Sequence, residues 1–202
     1  MKKLFLLILS SIVSLNIIAQ NAEDFLNSVI EKNKSYDDIS IVFNYNVINK
    51  EAGYNESMTG YASIKGNFYI LNVDGQEMIS DGKTLWTHLI DDEEVMISEV
   101  TEDNNSPLAI IESFSQNISV NFIENNTEIK AIEIIENEGE NFERIILTTD
   151  KDLRIKKIHA YIGDGNELVY SITEFKTNQN LPDSMFTFNE SLYPNVEIID
   201  MR

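Results

Sequence analysis

Few side chains in this sequence could catalyse a reaction or bind a metal, and they are widely separated. The two histidines, His88 and His159, fall in different predicted strands, and His88 follows the only tryptophan by two residues, so those two side chains share a strand face. We interpret both histidines as packed or surface residues. The acidic runs at 91–94 and 150–152 lack the glycine and terminal glutamate of a calcium loop and are typical of solvated turns. With no Gly-x-Ser-x-Gly elbow and no glycine-rich phosphate loop, the sequence predicts no enzyme, no metal site and no cofactor.

The elements that would position any site are predicted by hydrophobic spacing. Apolar residues three and four apart indicate a helix over 21–35, and alternation indicates a strand over 39–49 with Phe43 and Tyr45 on its apolar face. A second helix over 106–114 is expected because serine and proline stand at its start. The other predicted strands are 59–65, 68–73, 77–80, 84–90, 94–100, 119–123, 129–136, 142–149, 154–161, 167–176 and a short one over 184–189. About eleven strands joined by short turns predict a mainly β fold with one highly curved antiparallel sheet.

The N-terminal residues and the charge indicate an exported protein. Residues 1–19 combine a basic start, a mostly apolar run and Ala19 at their end, which predicts a signal peptide cleaved there and one soluble domain over 20–202. An uncleaved membrane anchor is the weaker alternative, because a span needs about 20 apolar residues. The chain has no cysteine for a disulfide or a lipid anchor. Its net charge of -19 excludes nucleic acid as a partner and disfavours adsorption to anionic lipid.

Three motifs resemble one known family. The hairpin Ile79-Ser80-Asp81-Gly82-Lys83-Thr84-Leu85-Trp86, the segment from Leu181 to Phe188 and the segment from Pro194 to Asp200 are similar, in this order, to the LolA family of periplasmic lipoprotein carriers. The resemblance implies an incomplete, or half, β-barrel of about eleven strands with helices as a lid over its concave apolar face. It also implies a chaperone that binds the acyl chains of lipoproteins and carries them from the inner to the outer membrane. The implied partners are acylated lipoproteins, an ATP-driven transporter of the inner membrane and an outer-membrane acceptor of unknown identity, with the carrier acting as a monomer.

Apolar residues in the predicted strands and helices are the candidates for such a cavity. For any one of them, ordinary core packing is an alternative interpretation. In the family, an Arg-Pro pair precedes the phenylalanine that corresponds to Phe68, and the arginine latches the lid. Here Lys65 stands in that hairpin and is the candidate substitute, although it lacks the planar fork of arginine. The cavity candidates are Ile41, Phe43, Tyr45, Phe68, Ile70, Trp86 and Met96, and the lid candidates are Phe25, Leu26, Val29, Leu108, Ile111 and Phe114.

A second functional class fits the same sequence. A half-barrel of this shape could bind lipid or an envelope protein as a sensor or regulatory domain, without transport. A hydrolase is a third interpretation, which the lack of a nucleophile and base in sequence patterns disfavours. Transfer of lipoprotein between membranes separates the first two classes.

Overall fold

The computed structural model describes residues 17–101, 118–136 and 142–202. Residues 1–16 of the predicted signal peptide and the predicted helix over 106–114 lie outside these ranges. Helix α1 spans Ile17–Lys34 and precedes all of the strands. The strands are β1 (Ile39–Asn49), β2 (Tyr54–Lys65), β3 (Phe68–Val73), β4 (Gln76–Ser80), β5 (Thr84–Leu89), β6 (Glu94–Glu99), β7 (Ile118–Asn125), β8 (Ile129–Glu136), β9 (Arg144–Asp150), β10 (Ile155–Ile162), β11 (Asn166–Thr177) and β12 (Glu197–Asp200).

All twelve described strands form one open sheet. Their order is β12-β6-β5-β4-β3-β2-β1-β11-β10-β9-β8-β7, so β12 and β7 are its two edges. Strands β1 and β11 pair antiparallel along their whole length, apart from a bulge between Val42 and Phe43, and join the two halves of the sheet. The predicted mainly β fold with a single open sheet is confirmed. Its antiparallel character has one exception, because β12 pairs parallel with β6.

The C-terminal segment differs from the prediction. The expected strand over 184–189 is wrong: two short 3-10 helices, Asp183–Phe186 and Glu190–Leu192, occupy this region. Phe186 and Phe188 alternate as in a strand and are both buried, but they pack on a face of the sheet, where no backbone ladder is free to pair with them. Strand β12 was not predicted, since its partner β6 is about a hundred residues away in sequence.

The two faces of the sheet are covered by different elements in its two halves. Residues paired across strands share a face, so the registers trace each face across the sheet. The helix face is the one that α1 contacts: Ala22, Phe25, Leu26 and Val29 pack there against β7 to β10. The tail face is the opposite one, and in β3 to β6 it is covered by the tail, residues 181–196. The helix face of β1 to β6 carries a third apolar cluster, with Ile64, Tyr69 and Leu85 buried in it.

Candidate functional site

A row of uncharged side chains, all apolar except Thr87, crosses the helix face from the middle of the sheet to its β12 edge. Each member is the cross-strand partner of the next, so the row runs perpendicular to the strands. Ala62 is buried, the next members are half-buried, and the last is exposed. We call this set the transverse row: Ile41, Ala62, Leu71, Met78, Thr87, Met96 and Ile199.

The rows on either side of the transverse row are different in character. One neighbouring row, which contains Ile39, Ile64 and Tyr69, is buried throughout the strands β1 to β5. The other begins apolar but ends in Glu94 of β6 and Glu197 of β12. The transverse row is therefore half-exposed and lies between a buried row and a row that ends in two glutamates. None of its own side chains carries a charge.

An aromatic cluster lies on the same face where the two halves of the sheet meet. The rings of Tyr45 and Tyr170 are stacked with centroids 4.8 Å apart, and Phe43 lies 6.0 Å from Tyr170. Burial beside Tyr45 raises the pKa of Tyr170 to about 12, so its phenol is neutral at ordinary pH. The Phe43 ring lies over Gly60, whose missing side chain leaves the space that the ring occupies: a Cβ there would be 2.5 Å from Phe43 Cζ.

Helix α1 forms the wall of this face on the side of β7 to β11. Phe25 contacts Phe122 with ring centroids 5.3 Å apart, and the Lys130 ammonium lies 5.0 Å from the centre of the Phe25 ring. Leu26 and Val29 are buried in the same cluster. These three predicted lid residues are thus in the core between helix and sheet. The other lid candidates, Leu108, Ile111 and Phe114, lie outside the described residues.

The predicted cavity residues do not share one face. Ile41, Phe43, Tyr45 and Met96 lie on the helix face. The structure places Phe68, Ile70 and Trp86 on the tail face, where they pack with the tail, and the rings of Phe68 and Phe186 are 5.9 Å apart. Four further helix-face residues were not predicted, although the alternation of their own strands indicates them: Met58, Leu71, Met78 and Tyr170.

Lys65 holds the tail instead of contacting α1. Its ammonium donates to the Leu181 carbonyl at 2.7 Å and to Asp183 Oδ1 at 2.6 Å. Next to it, the carboxylate of Asp38, which is 1% exposed, accepts backbone N–H groups from Gln179 at 2.8 Å and Leu181 at 3.1 Å. Burial alone would raise the pKa of Asp38, but these donors outweigh it and, with the charge of Lys65, hold the pKa below its ordinary value.

Both histidines contact other side chains of the fold. His88 is buried on the tail face, with Tyr193 at 4.8 Å between ring centroids and Glu77 Oε2 at 4.0 Å from its Nδ1, which has no hydrogen-bond partner. His159 pairs with Glu167 at 2.8 Å. Hydrogen bonds from Lys50 and then from His159 hold the pKa of Glu167 below its ordinary value. Across residues 17–101, 118–136 and 142–202, no group of three or more His, Cys, Asp or Glu side chains is arranged to hold a metal ion.

The described part of the chain also contains no helix that is both long and apolar enough to cross a bilayer. What distinguishes the molecule is an apolar, uncharged strip on the helix face, with methionines at two of its positions. Methionine side chains are flexible and adapt to irregular apolar ligands. The chemistry that this arrangement supports is the binding of a long apolar group without a covalent step.

Several known proteins are similar to this chain. Residues 66–189, more than half of the chain, match the family described as Outer membrane lipoprotein carrier protein LolA. An outer-membrane lipoprotein carrier protein of Francisella philomiragia subsp. philomiragia is 26% identical over 220 aligned positions, which cover 99% of this chain and 98% of that protein. An uncharacterized conserved protein of Thermus thermophilus has a similar fold, with a TM-score of 0.54, 12% identity and coverage of 87% of this chain and 96% of that chain. A LolA superfamily protein of Nitrosomonas europaea gives a TM-score of 0.44 at 14% identity, over 83% of this chain and 97% of that one.

Proposed function

The chain belongs to the LolA family of outer membrane lipoprotein carrier proteins, and from this premise we propose that it binds the acyl chains of lipoproteins on the helix face of β1 to β6. The binding surface is the part of the transverse row from Ile41 to Met96, together with the aromatic cluster of Phe43, Tyr45 and Tyr170. Helix α1 forms one wall. In this proposal Phe68, Ile70 and Trp86 stabilise the opposite face and do not contact the lipid.

The half-exposed transverse row is the observation that carries the proposal. Monomeric proteins rarely leave a large contiguous apolar surface in water, and such surfaces mark binding sites. In this row the side chains from Leu71 to Met96 are only half-buried, while the row beside it is fully buried. A ligand that covers the row removes this apolar surface from water without any charge to neutralise.

The energetics fit a carrier that must release its cargo. Burial stabilises each methylene by about 0.8 kcal/mol, so full transfer of a chain of about fifteen methylenes would stabilise the complex by roughly 12 kcal/mol. A strip that is already partly buried removes less surface from water than a closed pocket would. The acyl chains are then bound less tightly by the protein than by a lipid bilayer, so an acceptor in the outer membrane can withdraw them.

The family and the predicted export support a cellular role for this binding. We place the mature protein in the periplasm, where it receives lipoproteins from an ATP-driven transporter of the inner membrane and delivers them to an acceptor at the outer membrane. The strongly acidic chain, with a net charge of -19, would be repelled by anionic membrane surfaces when it carries no cargo.

Release of a triacylated lipoprotein from inner-membrane spheroplasts tests the function. We expect the purified protein to produce a soluble one-to-one complex with the lipoprotein. The variant Met78→Glu, which adds a charge to the transverse row, should abolish the complex. Thr59→Glu adds the same charge at an exposed position of the tail face and is the matched control, which should release lipoprotein normally.

One result would contradict the carrier function, and another would contradict the location of the binding surface. If the wild-type protein binds a free fatty acid but releases no lipoprotein, the carrier function fails and the sensor interpretation is favoured. If Met78→Glu and Thr59→Glu release lipoprotein equally well, the helix face is not the binding surface. Circular dichroism of all three proteins shows whether the variants are folded.

A further inference from the structure

The transverse row reaches the free edge of the sheet, where it becomes exposed to solvent. Its last member, Ile199 of β12, is the cross-strand partner of Met96 and is 37% exposed. The parallel ladder continues one step further, because the Met201 N–H donates to the Ile97 carbonyl at 2.8 Å, and Met201 is 58% exposed. Alternation along the chain puts Met201 on the same side as Ile199. Two apolar side chains therefore stand at the outer end of the apolar strip.

The opposite end of the row is closed by packed side chains. Ile41 pairs across β1 and β11 with Phe175, and the Phe175 ring contacts the edge of Tyr36, 6.1 Å between centroids. Tyr36 follows the end of α1 and carries the Lys32 ammonium 4.9 Å above its ring. A chain lying on the row thus meets aromatic rings at one end and solvent at the other, so the accessible end is at β12.

The length and the charge of the row suit an acyl chain that lies across the strands. Neighbouring strands are about 4.8 Å apart, so the six intervals from Ile41 to Ile199 span roughly 29 Å. One acyl chain in a bilayer extends about 15 Å, half of the hydrocarbon core. Of the charged residues of β12, Asp200 lies on the opposite face and is paired with the Arg202 guanidinium at 2.7 Å, whereas Glu197 lies on the helix face in the neighbouring row, beside the transverse row and not in it.

We propose that the β12 edge is the portal through which acyl chains enter and leave the binding face, passing over Ile199 and Met201. The proposal rests on the lipid-binding function above and adds the route. A chain sliding inward from the edge moves along uncharged side chains for the whole width of β6 to β2. Side chains at the portal control the rate of loading and unloading, and they leave the affinity nearly unchanged because the bound chain lies further inside.

Because the chain has no cysteine, a single cysteine can be placed on either face of β12 and blocked with a bulky maleimide. Ile199→Cys blocks the portal. Ile198→Cys is the matched control: its side chain is on the tail face of the same strand, and its exposure of 39% is close to the 37% of Ile199. The probe is a synthetic triacylated lipopeptide with a pyrene-labelled acyl chain, mixed with each adduct and followed by stopped-flow fluorescence.

We expect the adduct at position 199 to slow association and dissociation of the lipopeptide by about tenfold each, with an unchanged equilibrium affinity, and the adduct at 198 to change neither rate. Equal rates for the two adducts would overturn the portal. A loss of affinity with unchanged association would also overturn it, since Ile199 would then be part of the binding surface. If the unmodified protein binds no lipopeptide, the lipid-binding function fails, and the portal fails with it.

Discussion

At the scale of single residues, the contact between Gly60 and Phe43 sets the shape of the binding face. A Cβ on Gly60 would lie 2.5 Å from Phe43 Cζ and 2.8 Å from the Asn72 carbonyl oxygen, distances at which something must move. The ring of Phe43 in turn lies beside Tyr170. The absence of a side chain at Gly60 therefore leaves the space in which the Phe43 ring lies, and this fixes the position of the aromatic cluster.

We predict that Gly60→Ala destabilises the protein by about 1–3 kcal/mol, the usual cost of overpacking a filled core. Urea unfolding followed by circular dichroism measures the change. In a Phe43→Leu background the smaller side chain leaves room for the methyl group, so the same substitution should cost clearly less there. An equal cost in both backgrounds would show that the clash is with the Asn72 backbone alone.

Asp38 stabilises the fold through its charge. Its carboxylate is buried and accepts backbone N–H groups from the segment that leads into the tail. Because its pKa is lower in the folded state, its contribution is present above the ordinary carboxyl pKa and is lost as the pH falls through the folded value.

We predict that Asp38→Asn costs about 1–3 kcal/mol at neutral pH, since it removes a charged acceptor from buried donors. The difference between wild type and variant should shrink as the pH is lowered below about 4, the ordinary pKa of an aspartate, and on through the lower pKa of the folded state. Urea unfolding of both proteins across this pH range tests it. A difference that is the same at every pH would mean that the oxygen geometry, and not the charge, is what matters.

At the scale of elements, the tail covers β3 to β6, and hydrogen bonds hold its first residues in place. Phe186 is 0% exposed, and Phe188 stacks on Tyr193 with ring centroids 5.1 Å apart. Lys65 fixes the start of this cover through one carbonyl and one carboxylate. The lysine that stands in the hairpin before Phe68 thus stabilises the tail face, whereas α1 covers the helix face of the other half of the sheet, β7 to β10.

We expect Lys65→Met to loosen the tail without unfolding the sheet. Hydrogen–deuterium exchange should increase over residues 179–186, while the free energy of unfolding falls by less than about 1 kcal/mol, because the ion pair is partly exposed. Lys83→Met, on the exposed β4–β5 turn, is the control and should leave exchange of the tail unchanged. Unchanged exchange over 179–186 in Lys65→Met would show that the aromatic packing alone holds the tail.

The two faces of the sheet predict opposite phenotypes for the same kind of substitution. Phe68→Glu places a charge beneath the tail and should destabilise the protein by about 2–4 kcal/mol, with lipid binding retained by the molecules that remain folded. Met78→Glu places a charge on the half-exposed transverse row, so it should cost less stability and abolish lipid binding. Thermal unfolding and titration with a fatty-acid probe distinguish the two. Loss of lipid binding in a folded Phe68→Glu protein would show that the assignment of faces is incorrect.

At the scale of the whole molecule, much of the fold could be predicted from the sequence, whereas the division of residues between the faces could not. Alternation within β1 correctly put Phe43 and Tyr45 on one face, because period two determines the side within a single strand. Relating Trp86 to Phe43 requires the register of every strand between them, and a shift of one residue reverses the face. The structure pairs Trp86 with Ile97, so Met96 points the other way.

The tail and β12 are held by contacts between residues far apart in sequence, which local sequence patterns do not reveal. The alternation of Phe186 and Phe188 predicted a strand, but their burial comes from covering Ile70 and Val95 on a face of the sheet. Strand β12 exists because the chain returns to the free edge of β6 and pairs parallel with it. This return is also what brings Ile199 to the end of the transverse row and creates the proposed portal.

At the scale of the whole molecule, the net charge also determines how the protein behaves near membranes when it carries no lipid. With a net charge of -19, it is repelled by anionic lipid headgroups, and the repulsion is strongest at low ionic strength, where the Debye length is about 30 Å at roughly 0.01 M salt. We therefore predict that the unloaded protein stays in solution when mixed with anionic vesicles at neutral pH and low salt. Vesicle sedimentation measures the bound fraction.

Cationic vesicles are the positive control for this measurement, since they should pellet the protein in a salt-dependent manner. Sedimentation with anionic vesicles in the absence of lipoprotein would mean that the exposed residues Ile199 and Met201 insert into lipid strongly enough to overcome the repulsion. The protein would then stay at the membrane instead of crossing the space between membranes, which a carrier has to do. Staying in solution with anionic vesicles while still accepting a lipoprotein from them is the combination that transport requires.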